Sequence, residues 1–320
     1  MQNTQKDILE FLNKRIGKSH LEKRLKMQRE HAADVYNRGG ITKFHPENLE
    51  PMMIALDILL KITFLKKHAV KNSLDIRIEK NDILSGRIPQ KFHGFTILQL
   101  SDIHIDGYVD GGEKLCEIIR RLSYDLCVIT GDFRYLTHGD YDRCVLLTKK
   151  LVRSISCRHG VVAILGNHDF IEIVPGIESE GVTFLINDNK RISREGQSIV
   201  LAGVDDSHMY GTDDLPKALS GISNHEFTIL LAHSPSIYRK AASMKVDCCL
   251  SGHSHGGQVC LPGGIALMTN TNAPRKYIAG PWTYHNLKGY TSRGTGSSGL
   301  PARLFCPPEI TLHRLLLFPV

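Results

Sequence analysis

Tryptophan occurs once in the 320 residues, at Trp282, and the eight cysteines include no CxxC pair. Zinc held by thiolates needs clustered cysteines, so that kind of site is excluded. Several cysteines sit instead in apolar runs, such as Cys127 between Leu126 and Val128, and they read as reduced packing residues. No stretch reaches the roughly 18 consecutive apolar residues of a membrane-spanning helix. The opening MQNTQKDILE lacks the apolar core of a secretory signal, so a cytoplasmic location is expected. Gly294 to Gly299 is glycine-rich, but no Lys-Ser/Thr follows, so it reads as a turn region and not a phosphate loop. Basic residues are not interleaved with aromatics along any stretch, which argues against a nucleic-acid groove.

Positive charge is abundant in one place. The chain carries 40 Lys and Arg against 33 Asp and Glu, and residues 1–90 hold 17 against 11, so six of the seven surplus charges precede the rest of the chain. This stretch reads as a basic helical N-terminal extension. Leu21 to Tyr36 is rich in helix formers, with Gly39-Gly40 as a stop. A second helix is expected after Pro51, with Met52, Leu56, Leu59, Leu60, Thr63 and Phe64 at helical spacing and Lys61, Lys66, Lys67 and Lys71 toward its end. Two readings of it are open. It packs on the remainder of the chain with its lysines solvated, or it rests peripherally on an anionic membrane surface, apolar face down.

From about Lys91 the pattern changes to short apolar runs separated by amphipathic segments. Phe95–Leu100, Leu126–Thr130, Val161–Leu165, Val200–Ala202, Phe227–Leu231 and Val246–Leu250 read as buried strands, with helices over Lys114–Leu122 and Cys144–Ile155. Alternation of this kind predicts an α/β layered domain over residues 91–320. The last 60 or so residues are rich in Gly and Pro, and Glu309 to His313 alternates as a short strand closing the sheet.

Every polar cluster of interest directly follows one of the buried strands, where open α/β sheets bind ligands. Asp102 and His104 follow the first, Asp132 the second, Asn167, His168 and Asp169 the third, His233 a later one, and His253 and His255 the last. Any one of these, taken alone, is an ordinary turn. Asp169 aside, they supply two carboxylates, an amide and several imidazoles, donors suited to borderline-hard divalent ions and too many for one ion. Paired ions of this kind clamp the attacking and leaving oxygens of a phosphoryl group.

The motifs Asp102-x-His104, Gly131-Asp132, Gly166-Asn-His-Asp169, His233 and Gly252-His-x-His255, in that order, resemble the calcineurin-like metallophosphoesterase family over residues 95–320. Gly256-Gly-Gln258 and the tail from Ser292 to Ile310 look most like the bacterial branch that includes YkuE-type enzymes and UDP-diacylglucosamine pyrophosphohydrolases. The resemblance implies a four-layer αββα sandwich and two divalent ions, manganese, iron or zinc. It gives Asp102, His104 and His255 to one metal, Asn167, His233 and His253 to the other, and Asp132 to both. His168 would be the catalytic group beside the scissile bond. In the protein-phosphatase branch a second aspartate three residues after Gly-Asp orients that histidine; here Tyr135 occupies the place. Asp169 or another carboxylate is then expected to support His168, or the histidine works without one, and protein phosphatase activity is disfavoured. Arg134 is a candidate contact for a substrate phosphate, a surface or salt-bridged arginine being the alternative.

The function expected is metal-dependent hydrolysis of a phosphodiester or pyrophosphate, directly and without a covalent phosphoenzyme. The substrate would be a nucleotide-linked glycolipid of the UDP-diacylglucosamine type used in lipid A synthesis, or a phospholipid, at a membrane surface. The alternatives are a soluble nucleotide phosphodiesterase or phosphatase, and a non-catalytic binding scaffold on the same fold.

Overall fold

The computed structural model of the chain describes residues 4–38 and 50–318. Two six-stranded sheets form its centre. The first contains β1 (Arg77–Ser85), β2 (Thr96–Leu100), β3 (Leu126–Thr130), β4 (Val161–Ile164), β5 (Val182–Phe184) and β14 (Glu309–Leu317), in the order β1-β14-β2-β3-β4-β5. The second contains β6 (Asp188–Arg194), β7 (Gln197–Gly203), β8 (Thr228–Leu231), β9 (Cys248–Ser251), β12 (Gly280–Tyr284) and β13 (Leu287–Thr291), in the order β12-β13-β9-β8-β7-β6. β10 (Cys260–Leu261) and β11 (Ile265–Ala266) pair separately. β2 to β5 are parallel, as are β7, β8, β9 and β13.

Side chains alternate across each strand, which is why these runs are apolar throughout: both faces are covered. Ile97, Leu126, Val128, Val162 and Ile164 of the first sheet meet Leu201, Ile229, Leu231 and Leu250 of the second in one central core. Their neighbours Leu98, Leu100, Cys127 and Ile129 face outward, against α5 (Glu113–Arg120), α6 (Asp142–Val152) and α7 (Ile173–Glu178). On the far side Ala202, Leu230 and Cys249 pack with α8 (Leu215–Ala218) and α9 (Tyr238–Ser243). The result is the expected αββα sandwich, with helices at its N-terminus.

Those helices are α1 (Gln5–Ile16), α2 (Lys18–Arg38), α3 (Glu50–Ile62) and α4 (Lys66–Asn72). Thr4 and Asp7 close a capping box on α1. The first pair is part of the sandwich, since Leu12, Ile16 and Leu21 are buried in the same core as α5 to α7. The Gly39-Gly40 stop expected after α2 lies outside the described residues. The expected second helix is broken after Ile62, with Phe64 in a left-handed conformation (φ 59°) before α4 begins. Leu60 and Ala69 pack on Val259, Ala302 and Leu304, while Ile58, Leu59, Ile62 and Phe64 remain exposed. The helical reading of residues 1–90 is corrected at its end. Arg77–Ser85 form β1, paired in parallel with β14, so this segment belongs to the first sheet. β1 is an edge strand, and the charges of Arg77, Glu79, Lys80 and Asp82 that hid it are those such edges carry to block further pairing. No helix among the described residues is long and apolar enough to cross a membrane.

Candidate metal centre

The chain turns sharply after β2, β3 and β9, and five of the seven candidate ligands sit on those turns. Asp102, His104, Asp132, His253 and His255 all adopt left-handed φ, between 47° and 70°. Each such residue costs ~1–3 kcal/mol and persists only where its surroundings over-determine it. Here backbone bonds between neighbouring turns do so: Asp102 N donates to Gly131 O and His104 N to Asp132 O, each at 3.0 Å. Two glycines allow the turns to meet. A β-carbon on Gly252 would lie 1.9 Å from the Ser101 hydroxyl, and one on Gly166 2.2 Å from Asp132 Oδ1.

All seven expected ligands come together, each no more than 5% exposed. Asp102, His104 and His255 form one group and Asp132, His233 and His253 another, the donor atoms within each lying within 4.8 Å of one another. In the first, His104 Nε2 is 3.2 Å from His255 Nε2, which is 3.5 Å from Asp102 Oδ1. In the second, His233 Nε2 is 3.2 Å from Asp132 Oδ2 and 3.1 Å from Asn167 Oδ1. Asp132 Oδ2 is also 3.9 Å from His104 Nε2, so its carboxylate faces both groups.

Backbone carbonyls set the imidazole orientations. His104 Nδ1 pairs with Arg134 O at 2.5 Å, His233 Nδ1 with Thr130 O at 2.7 Å, and His253 Nε2 with Asn270 O at 2.5 Å. A ring that donates through one nitrogen presents the lone pair of the other, the arrangement a metal requires. Burial holds His253 and His255 well below the usual imidazole range and, with His168 nearby, takes His104 down to about 3. Burial raises Asp102 to about 6. Against the opposing effect of burial, Asp132 pushes His233 up to about 10, and His233 holds Asp132 well below the carboxylate range. Neutral imidazoles, an amide and two buried carboxylates fit two divalent cations, which would replace the His233 proton as countercharge.

His168 lies at the margin of this set. Its Nδ1 pairs with Tyr135 O at 2.8 Å, leaving Nε2 4.0 Å from Asp132 Oδ2. The support expected from a carboxylate is thus supplied by a main-chain carbonyl, at the position where the protein-phosphatase branch has aspartate. Asp169 does something else. Its carboxylate accepts from the backbone N–H groups of Gly166, Asp132, Phe133 and Arg134 at 2.8–3.2 Å, tying the turn after β3 to the one after β4. Asp169→Asn offers one acceptor oxygen and turns an N–H toward N–H groups. It should lower stability by about 2–3 kcal/mol, measured by urea unfolding at neutral pH; an unchanged midpoint would show that these bonds are dispensable. Arg134 is corrected as well. It is fully buried, lies 4.0 Å over the Phe170 ring and donates to the carbonyls of His138, Gly139 and Asp140, a placement that holds a loop and does not reach for a substrate phosphate.

Several supporting residues escaped the sequence reading. Ser101 Oγ donates to Asp102 Oδ2 at 2.6 Å, and Arg303 Nη2 to His255 Nδ1 at 3.0 Å. The Tyr210 hydroxyl donates to the Asn167 carbonyl at 2.8 Å, and the His208 ring packs at a tilt of 53°, 4.4 Å from that of His253. Arg24 of α2 donates to the Asp169 carbonyl at 3.0 Å. None lies near a metal-ligand motif in sequence except Ser101, whose place before Asp102 was the one available signal.

Residues 95–257 match the family model of calcineurin-like phosphoesterases. The chain is 30% identical to the uncharacterized metallophosphoesterase YkuE of Bacillus subtilis, over 79% of this chain and 87% of that protein. It is 27% identical to YkoQ, an uncharacterized metallophosphoesterase of the same organism, over 82% of this chain and 99% of the other. With the UDP-2,3-diacylglucosamine pyrophosphatase LpxG of Chlamydia muridarum it shares 25% identity, over 78% and 92%. The family model, these likenesses and the convergent oxygen and nitrogen donors lead to one conclusion: the chain belongs to the calcineurin-like metallophosphoesterase family.

Proposed function

We propose that the protein is a dinuclear metal-dependent phosphoesterase that hydrolyses a phosphodiester or pyrophosphate bond of a lipid-linked substrate, a nucleotide-glycolipid or phospholipid. The observation that carries this reading is the convergence of seven buried oxygen and nitrogen donors on one edge of the sandwich, with His168 at their margin. In it, Asp102, His104 and His255 hold one ion, Asn167, His233 and His253 hold the other, and Asp132 serves both. Manganese, iron and zinc all suit such donors. Bound there, the ions supply Lewis-acid activation of water and neutralise charge on the phosphoryl group. His168, fixed through Nδ1, presents Nε2 to the reacting group, where it stabilises developing charge or protonates the leaving oxygen.

The lipid part of the proposal has two supports. The Chlamydia relative is named for a diacylated nucleotide sugar. Within the basic residues 1–90, Ile58, Leu59, Ile62 and Phe64 are exposed apolar side chains, in keeping with a peripheral position on an anionic membrane. The full chain should therefore float with phosphatidylglycerol vesicles and not with phosphatidylcholine vesicles; failure to float with either would remove the membrane surface from the proposal. Deleting residues 1–90 is not a usable control, because Leu12, Ile16, Leu21 and β1 would leave the folded unit with them.

The deciding experiment is a screen of the metal-reconstituted protein against soluble nucleotides, UDP-diacylglucosamine and phospholipids, with a nitrophenyl phosphodiester as generic probe. Chelation should abolish turnover and divalent ions restore it, with kcat/KM at least about tenfold higher on a lipid-linked substrate, the preference about two buried methylenes confer. Equal turnover of soluble nucleotides without lipid would make it a soluble phosphodiesterase, and a metal-loaded protein with no turnover would make it a binding scaffold.

A further inference from the structure

Beside His104, an apolar cavity of about 80 Å³ opens between α4 and the loops that follow β2 and β13. Val70, Leu74, Tyr108, Val109 and Pro301 line it together with His104 itself. The three hydroxyls of the wall each have a partner, Ser297 Oγ accepting from Arg303 Nε at 3.3 Å. Tyr108 donates to the Thr295 carbonyl at 2.6 Å, and Ser73, also in the wall, to the Val70 carbonyl at 2.7 Å. A polar head group would lose water here against a wall that is mostly carbon, whereas hydrocarbon loses nothing.

The surroundings carry the same character. Val109 and Phe64, 92% and 91% exposed, are the most exposed large apolar side chains among the described residues. Val109 lines the slot with the C-terminal end of α4, and Phe64 lies two residues before that helix begins at its other end. Lys67 and Lys71 of α4 are exposed cations on the same short helix. A helix flanked by bare apolar side chains and carrying lysines suits an amphiphile with a negative head and an apolar tail.

We infer that this slot is a substrate subsite that takes the first carbons of a hydrocarbon chain, the phosphoryl group of the same molecule lying at the metal centre. The inference rests on the phosphoesterase reading and adds the part of the substrate that gives selectivity. Because His104 belongs both to the slot and to the donor set, the chain must begin within a few bonds of phosphorus. The favoured substrate is therefore a phosphoester in which the lipid alcohol is joined directly to the phosphorus that is attacked.

The test is a series of nitrophenyl n-alkyl phosphodiesters, methyl, butyl and octyl, with the metal-reconstituted full chain, below micelle-forming concentrations and without vesicles. A methylene sealed from water gains roughly fourfold, so kcat/KM should rise at least about tenfold from methyl to butyl. Val109→Asp, at a side chain too exposed to endanger folding, and Val70→Asp should both flatten that rise. Octyl phosphoesters bearing choline, or uridine monophosphate, in place of nitrophenol separate a phospholipid-like source of the chain from a nucleotide-linked one. A flat series with the methyl ester turned over would overturn the subsite and leave the phosphoesterase reading standing. A rise that survives both variants would place chain recognition elsewhere and overturn the subsite as well. No turnover of any ester would overturn the phosphoesterase reading and the subsite with it.

Discussion

Alanine at position 168 should lower kcat by roughly 10²- to 10⁴-fold, the usual contribution of a positioned acid–base group, while both metal groups remain loaded. The geometry separates the two effects. His168 Nε2 comes no nearer than 4.0 Å to Asp132 Oδ2, whereas His233 Nε2 lies 3.2 Å from the same oxygen. The backbone of residue 168 is held independently of its side chain, because its N–H donates to Asp132 Oδ1 at 2.8 Å. Alanine keeps that bond and so keeps the turn that carries Asn167. Metal content by atomic emission, measured on the same samples as kcat, distinguishes the roles. Loss of one equivalent of metal would make His168 a ligand, and full activity would make it a bystander. Since Nδ1 is held by the Tyr135 carbonyl, substitutions of the Tyr135 side chain that preserve its backbone should leave kcat within about threefold of wild type, a far smaller effect than loss of the imidazole itself.

That carbonyl explains what the sequence could and could not disclose. The positions after β2, β3, β4, β8 and β9 were legible because buried parallel strands are nearly uniform apolar runs, and an abrupt Asp, His or Asn after such a run has few structural excuses. The partner of His168 was not legible, because every residue offers a carbonyl and position 135 carries no mark of its use. Arg134 misled for the opposite reason: a charged residue two places from Asp132 invites a functional role, yet it is fully buried and serves the loop of residues 138–140. β1 was hidden by its edge position. It needs only one paired side and one partly covered face, so Ile83 is buried while Ile78 and Leu84 stay exposed and the apolar alternation is lost. The integration of α2 was hidden by distance, since Arg24 meets a carbonyl 145 residues away.

Arg24→Ala should cost about 3–5 kcal/mol of stability at neutral pH, the penalty for stripping one partner from a buried ion pair. Arg24 is fully buried. Its Nε lies 3.6 Å from Asp205 Oδ1, its guanidinium 3.8 Å over the Tyr210 ring, and its Nη2 reaches the Asp169 carbonyl. Without it, the Asp205 carboxylate stays buried with His20, 3.0 Å away, as its remaining ion-pair partner. The loss should depend on pH. Burial works to raise the Asp205 pKa, but Arg24 and then His20 outweigh it and hold the carboxyl down to about 2. A group whose pKa is depressed on folding stabilises the native state above its unfolded value, about 4 for aspartate, and that contribution fades as pH falls toward the folded value. The wild-type advantage should therefore be full at pH 7 and shrink by on the order of 2 kcal/mol as pH falls from about 4 to 2, read from urea midpoints of the two proteins across that range. Because Tyr210 also holds the Asn167 carbonyl, the folded fraction of the variant should bind metal less tightly at the group containing His233. Equal midpoints at neutral pH would show that α2 merely rests on the sandwich, whereas a gap that narrows in acid would make this N-terminal helix a brace for the turn that carries Asn167 and His168.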